Sequence, residues 1–175
     1  MKKNSKIILR VLTVLVVITS IAIFINFQSV KDKAEVFKAA EISVLVDGVE
    51  ISRFNVQDIG KLSEQNFTAM LKSSIMNSPE EHSYTGITLA ELFKSAGISL
   101  KGKNRVVVHS IDGYIVPLKI EEIEELDNVY LVYKDNGDYL KSIEEKDGQG
   151  PFMIVVRGDQ FSQRWAKFAS EIEIQ

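Results

Sequence analysis

Cysteine is absent from the 175 residues of this chain, and histidine occurs only twice. The missing cysteine excludes structural disulfides, thiolate zinc sites, iron–sulfur clusters and cysteine nucleophiles. A metal site would have only the imidazoles of His82 and His109, and the sequence contains neither an HExxH motif nor an EF-hand loop. The sequence therefore predicts no metal centre, and a hard-cation site built from carboxylates is left only as an alternative in principle.

The chain also lacks an excess of positive charge, since 21 Lys and Arg residues stand against 24 Asp and Glu residues, for a formal net charge of −3. Proteins that bind the phosphates of nucleic acids usually carry a basic excess. We therefore expect no nucleic-acid partner.

A long apolar run follows a basic amino-terminal segment. Residues 1–10 carry four Lys and Arg side chains, and residues 11–28 carry no charge. This run approaches the length of about twenty residues that a helix needs to cross a bilayer, and the basic side is expected to stay in the cytoplasm. The pattern predicts a single-pass signal anchor at 11–28, a stalk at 29–40 and an extracytoplasmic domain at 41–175. A cleaved signal peptide is the alternative, but no A-x-A cleavage pattern follows the run.

The predicted domain mixes short strands with two or three short helices joined by tight turns. Thr88 and Glu91 form a capping-box pattern at the start of the clearest helix, and Gly97 is placed to end it. Residues 73–86 are polar around a proline and are expected to form a loop. Because strands and helices do not alternate regularly, the pattern favours the α+β class.

The stretch VVVHSIDGYIVPL predicts a hairpin that turns at Asp112-Gly113, a pair that favours tight turns with positive φ at both residues. His109 and Ser110 are neighbours on one strand and should point to opposite faces, so we predict no Ser-His catalytic arrangement. Tyr114 is expected to pack in the core.

Two further segments carry apolar patterns near acidic or basic residues. The segment LKIEEIEEL predicts a short helix with Ile120, Ile123 and Leu126 as its buried side. Trp165, the single tryptophan, is expected to seal a carboxyl-terminal helical turn against a sheet. For His82 we expect at most a place at the rim of a pocket.

Taken in chain order, these segments resemble the sulfite-oxidase-type molybdopterin-binding domain. The similar stretches are YTGITLAELFKSAGI, the hairpin with Ser-x-Asp-Gly-Tyr, YLVYKDNGDYL, GQGPFMIVV and QRWAKFASEIEI. The resemblance spans about residues 42–174. It implies a fold of mixed β-sheets with short helices, and it implies a molybdopterin-dependent oxidoreductase as the ancestral activity.

Three positions depart from what this family implies. A cysteine thiolate binds molybdenum just after the Thr-Ala-x-Leu strand in the family, and Ser73 stands at the matching position. A neutral hydroxyl is a poor substitute for a soft thiolate. Met153 replaces a basic residue, and Phe161 replaces a lysine of the stretch that helps to hold the pterin phosphate. The resemblance therefore implies a retained scaffold with lost molybdenum chemistry.

The resemblance also implies which residues would contact a cofactor or another ligand in a retained pocket. Arg164 among them is expected to meet either an anion or a surface carboxylate. No catalytic residue and no bound metal are expected, and molybdopterin is allowed only by the resemblance. The candidate binding residues are Ser73, His109, Asp112, Tyr114, Ser162 and Arg164.

Three functions are compatible with this sequence. The first, which we favour, is a non-catalytic module that binds a small anionic ligand or an envelope protein. The second is a molybdopterin-dependent oxidoreductase that holds its metal without cysteine. The third is an envelope interaction domain without any small ligand. Ser73, Met153 and Phe161 discriminate between them, because an enzyme would need other groups to supply the thiolate and the cations.

Overall fold

The computed structural model describes residues 10–25, 39–73 and 78–175. Residues 10–25 are helical (α1) and belong to one unit, whereas residues 39–175 belong to a second, compact unit. The second unit begins two residues before the predicted domain boundary.

Helix α1 presents apolar side chains around its whole circumference. Its large aliphatic residues are each more than half exposed, from Val11 to Ile25. The hydroxyls of Thr19 and Ser20 donate to carbonyl oxygens one turn earlier, at 2.6 and 2.8 Å, so the helix satisfies its own polar groups. Among the described residues, no helix is long and apolar enough to cross a membrane. The predictions for residues 1–9 and 26–38 lie outside the described residues.

The second unit contains strands joined by short turns and short helices. In chain order its elements are β1 (Glu41–Val46), β2 (Val49–Asn55), α2 (Val56–Ile59), β3 (Gln65–Leu71), β4 (Glu80–Thr88), α3 (Leu89–Ser95), β5 (Arg105–Ser110), β6 (Ile115–Lys119), α4 (Ile120–Glu124), β7 (Val129–Asp135), β8 (Asp138–Tyr139), β9 (Met153–Val156), a 3₁₀ helix (Ser162–Arg164) and β10 (Ala169–Ile174).

These strands form two five-stranded sheets. The first sheet has the order β2-β1-β10-β5-β6, in which β1 pairs with β10 in parallel and the other pairs are antiparallel. In the second sheet β3 pairs with β4 and β4 pairs with β7, while β8 and β9 pair with different halves of β7. A single cluster of buried apolar side chains includes residues from both sheets. The α+β class predicted from the sequence is confirmed.

The close approach of β4 and β7 requires a glycine at one position of the second sheet. A Cβ atom at Gly86 would lie 2.2 Å from the carbonyl oxygen of Leu131 on β7. No side chain fits at that distance, so β4 and β7 pair closely only because residue 86 is glycine.

Several local predictions are confirmed and others are corrected. Thr88 Oγ1 accepts a hydrogen bond from the Glu91 backbone at 3.2 Å, which confirms the cap of α3. The Glu91 carboxylate pairs with Lys94 and does not complete the predicted capping box. The expected loop at 73–86 is wrong from Glu80 onwards, because β4 begins there and pairs on both sides. Leu126 is 90% exposed, since α4 ends at Glu124 and the helical stripe does not reach it.

Candidate functional site

The site lies at the free edge of the second sheet, where β3 ends. The segment that follows β9 runs beside this edge and is joined to it by backbone and side-chain hydrogen bonds of Ser162. The Lys72 backbone N–H donates to Ser162 Oγ, and the Ser162 backbone N–H donates to the Lys72 carbonyl, both at 2.9 Å. Because Ser162 is 90 residues from Lys72 in sequence, only the tertiary fold brings the two together. The predicted residues Ser73 and Ser162 are thereby placed near each other.

A cleft of about 220 Å³ opens between the end of β3 and this segment. Its lining combines two cations, two carboxylates, one hydroxyl and an apolar floor. The lining residues are Thr68, Ala69, Met70, Lys72, Glu81, Arg157, Asp159 and Trp165.

Trp165 forms the rigid part of this lining. Its indole N–H donates to the Val156 carbonyl at 3.0 Å, and the side chain is almost fully buried. Its ring meets the ring of Tyr84 edge-on, with centroids 5.8 Å apart. Burial raises the pKa of the Tyr84 phenol. Behind Tyr84, the His82 ring stacks in parallel at 5.6 Å, and His82 Nδ1 lies 2.7 Å from Asp135 Oδ2. Trp165 packs against the sheet as predicted, from a 3₁₀ turn.

Arg164 is bound by two carboxylates of the same chain. Its Nε donates to Asp159 at 2.9 Å, and its terminal nitrogens donate to both oxygens of Glu122 at 2.7 and 3.1 Å. A further contact joins Arg164 Nη2 to Asp159. These hydrogen bonds from Arg164 lower the pKa of Glu122 and raise the pKa of the guanidinium. The open alternative from the sequence is decided in favour of carboxylates, because Glu122 and Asp159 occupy the donors that an external anion would need.

Lys72 and Arg157 are the two cations whose side chains line the cleft. Arg157 Nη1 donates to the Asp127 carbonyl at 3.1 Å, and its guanidinium carbon lies 5.5 Å from the centre of the Phe67 ring. Within residues 10–25, 39–73 and 78–175, the Lys72 ammonium has no ion pair or hydrogen bond. The cleft therefore has one oriented guanidinium and one ammonium that no described residue neutralises.

The hairpin that the sequence singled out lies away from the cleft lining, although it contacts the same segment. The Tyr114 hydroxyl donates to the Gln163 carbonyl at 2.7 Å, and 46% of the side chain is exposed. The expectation that Tyr114 packs in the core is therefore wrong. Asp112 Oδ1 accepts from the Tyr114 backbone at 3.0 Å, and of the two turn residues only Gly113 has a positive φ, of 85°. Asp112 thus shapes its own turn.

His109 lies on β5 in the middle of the first sheet. Its Nε2 is 3.8 Å from carboxylate oxygens of Glu171 and Glu173 on the neighbouring strand β10. Ser110 is buried on the opposite face, as predicted from strand alternation. His109 does not line the cleft.

None of the six candidate residues lines the cleft itself, although three of them are close to its walls. Ser73 and Ser162 are placed beside the cleft through Lys72, and Arg164 is placed there through Asp159. The roles of these six residues in binding stay predictions. The sequence reasoning missed Lys72, Glu81 and Arg157. A signal for two of them was available, because Lys72 directly precedes the family's metal-ligand position and Arg157 directly follows a buried strand.

The residues present do not fit an anionic metallated pterin. Half-buried Ser73 carries a neutral hydroxyl at the position where the resemblance implies a metal ligand, and no group of three or more histidine or acidic side chains in the described parts of the chain is arranged to hold a metal ion. Met153 is fully buried in β9, while Phe161 is half exposed and uncharged. Arg164, the remaining cation of the predicted phosphate site, is already neutralised.

One mixed sheet, one antiparallel sheet, short helices and one shared core define an α+β domain. Among solved structures, the chain is similar to the sulfane dehydrogenase SoxCD from Paracoccus pantotrophus, with 17% sequence identity and a TM-score of 0.63. The match covers 78% of this chain and 38% of that chain, so this chain spans well under half the length of its structural relative. No protein-family model matches the sequence, nor does any curated protein. At this level of identity the likeness shows the fold alone.

Proposed function

We propose that this chain is a membrane-anchored, extracytoplasmic binding module that uses a molybdopterin-oxidoreductase-like scaffold without molybdenum chemistry. Two observations carry the proposal: Arg164 is held by Glu122 and Asp159, and the hydroxyl of Ser73 stands where the resemblance implies a thiolate. These two positions supply neither the soft anion for the metal nor an unpaired cation for a pterin phosphate. The cleft beside it supplies the pocket for a small anionic ligand.

The anchor is supported by the sequence and by the exposed apolar surface of α1. Charges are absent from residues 11–28, and the apolar side chains of the described helix have no polar face opposite them. A helix that is apolar all round is typical of a segment that lies in lipid or in a protein core. The basic residues before it favour an extracytoplasmic position for residues 41–175.

The loss of molybdenum chemistry is tested on the full chain. The protein is produced in a host that makes the molybdenum cofactor, purified in detergent, and analysed for molybdenum and for the fluorescence of oxidised pterin. We expect both to be far below one per chain. The matched variant Ser73→Cys asks whether the thiolate alone restores loading, and we expect little gain because Arg164 stays neutralised. Near-stoichiometric molybdenum in the unchanged protein would overturn the proposal.

The likeness to a dehydrogenase favours a second candidate, an oxidoreductase whose metal is held without cysteine. It makes the opposite prediction in the same measurement. If it is correct, molybdenum stays bound to the unchanged protein and is lost when Ser73 is replaced by alanine.

The anchor is tested by alkaline extraction of membranes from cells that produce the full chain. We expect the protein to remain in the membrane fraction, and we expect the double variant Val14→Lys, Ile18→Lys to be released. The matched control is Val14→Leu, Ile18→Leu, which keeps the apolar surface. Release of the unchanged protein would contradict membrane anchoring and leave the cleft unaffected.

A further inference from the structure

We infer that the cleft at the end of β3 is a binding site for a small organic monocarboxylate, whose carboxylate meets Lys72 and Arg157. The inference rests on the proposed function and narrows its ligand to one chemical class. It uses residues that the family resemblance did not indicate.

The first argument is the availability of two cations. The Lys72 ammonium has no ion pair with the described residues, and the Arg157 guanidinium has none among them either, although its side chain hydrogen-bonds to the Asp127 carbonyl and to the Tyr130 hydroxyl. Contact with the Phe67 ring holds the guanidinium in place. An oriented guanidinium loses little freedom when it binds a carboxylate, and its remaining N–H groups match the two oxygens.

The second argument is the charge balance, which favours one negative charge over two. Glu81 and Asp159 also line the cleft, and Arg164 shares its one positive charge between Asp159 and Glu122. The three cations are therefore matched by three carboxylates, so the surroundings of the cleft carry no excess of positive charge that could balance a dianion. A phosphate or sulfate dianion would bring an excess of negative charge beside two carboxylates.

The third argument is the size and polarity of the rest of the lining. Ala69, Met70 and Trp165 supply an apolar wall beside the cations. Met70 is 41% exposed although it is a large apolar side chain. An apolar cavity of about 150 Å³ can hold benzene, so a cleft of about 220 Å³ has room for one ring or a short branched chain together with its carboxylate. The ligand is therefore a carboxylate with a compact apolar body.

Trp165 makes the test direct, because it is the single tryptophan of the chain and lines the cleft. The full chain in detergent is titrated at about pH 8, while the tryptophan emission is recorded, with three probes that share one ring: phenylacetate, the neutral 2-phenylethanol and the dianion phenyl phosphate. We expect a saturable change with phenylacetate, and weaker binding by about tenfold or more for the neutral analogue, because it loses a charge-assisted hydrogen bond. Phenyl phosphate is expected to bind no more tightly than phenylacetate.

Variants assign the effect to the two cations. Lys72→Met and Arg157→Met should each weaken the binding of phenylacetate by about tenfold or more, since each variant keeps most of the aliphatic stem and removes one charge. Lys101→Met is the matched control, because Lys101 is exposed outside the cleft, and it should bind as the unchanged protein does. Thermal melting identifies any variant that fails to fold, and Lys72→Gln then replaces Lys72→Met.

Each contrary result overturns the inference. These results are the absence of saturable binding, equal binding of the neutral analogue, tighter binding of the dianion, or equal weakening by Lys101→Met. The molybdenum measurement is independent of this titration. A molybdenum-free protein that ignores phenylacetate refutes the monocarboxylate site alone, whereas a molybdenum-loaded protein refutes the proposed function.

Discussion

Two sets of cations border Trp165, and they differ in whether the chain itself neutralises them. Arg164 donates to Glu122 and Asp159 from all three guanidinium nitrogens. Lys72 and Arg157 line the cleft, and the described residues offer their charges no ion pair. The same residue type therefore stabilises the fold in one place and stays available to a ligand in the other.

This comparison teaches that the presence of a basic residue at a family position says little about binding. An arginine whose donors are used inside the chain would have to break several charge-assisted hydrogen bonds before it could hold an anion. Lys72, which has no ion pair in the part of the chain that the structure describes, has no such penalty. The four predictions that follow test this contrast.

The largest loss of stability is expected at Trp165, which lies beside both sets of cations. Trp165→Ala removes a buried indole and its hydrogen bond to Val156, and should destabilise the protein by about 3–5 kcal/mol through the cavity it leaves. Chemical denaturation followed by circular dichroism measures the change. The matched variant Trp165→Phe keeps an aromatic ring and should lose less stability than Trp165→Ala. Equal stability of Trp165→Ala and the unchanged protein would show that the indole does not support the site.

Removal of the neutralised cation, Arg164, should lower the stability of the protein more than removal of Lys72. Arg164→Met removes the cation that the carboxylates of Glu122 and Asp159 share, and should destabilise the protein by about 1–3 kcal/mol. Lys72→Met breaks no side-chain hydrogen bond or ion pair with the described residues, and should stay within about 0.5 kcal/mol of the unchanged protein. Denaturation curves for the two variants give the comparison directly, and a reversed order would contradict it.

The neutralised set should also make stability depend on pH. Because hydrogen bonds from Arg164 lower the pKa of Glu122 in the folded protein, its contribution is complete above the usual carboxylate range and is lost as the pH falls through the lowered pKa. Between about pH 7 and about pH 3, the unchanged protein should therefore lose more stability than Glu122→Gln does. Parallel pH profiles of the two proteins would show that this ion pair is not formed in solution.

The smallest effect is expected at the hairpin. Tyr114→Phe removes the hydrogen bond to the Gln163 carbonyl from a half-exposed side chain, and should destabilise the protein by about 0.5–1 kcal/mol. Because Tyr114 does not line the cleft, phenylacetate binding should be unchanged. A large loss of binding with an intact fold would assign Tyr114 to the ligand site after all.

The sequence by itself determined the local structure where backbone geometry and periodicity control it. The turn at Asn136-Gly137 has positive φ at both residues, of 51° and 89°, as such a dipeptide requires. The start of α3 at Thr88 and the hairpin between β5 and β6 also follow from short-range patterns. These features depend on a few neighbouring residues, which is why they could be predicted without a structure.

Only the tertiary structure decided which charges meet. Glu122 lies 42 residues before Arg164, and Ser162 lies 90 residues after Lys72. A sequence pattern over one turn or one strand contains no information about partners at such separations, because these pairs form only when both sheets have assembled around the shared core. For that reason the sequence left open whether Arg164 meets an anion or a carboxylate, the paired strand β4 was not predicted, and the cations of the cleft were missed.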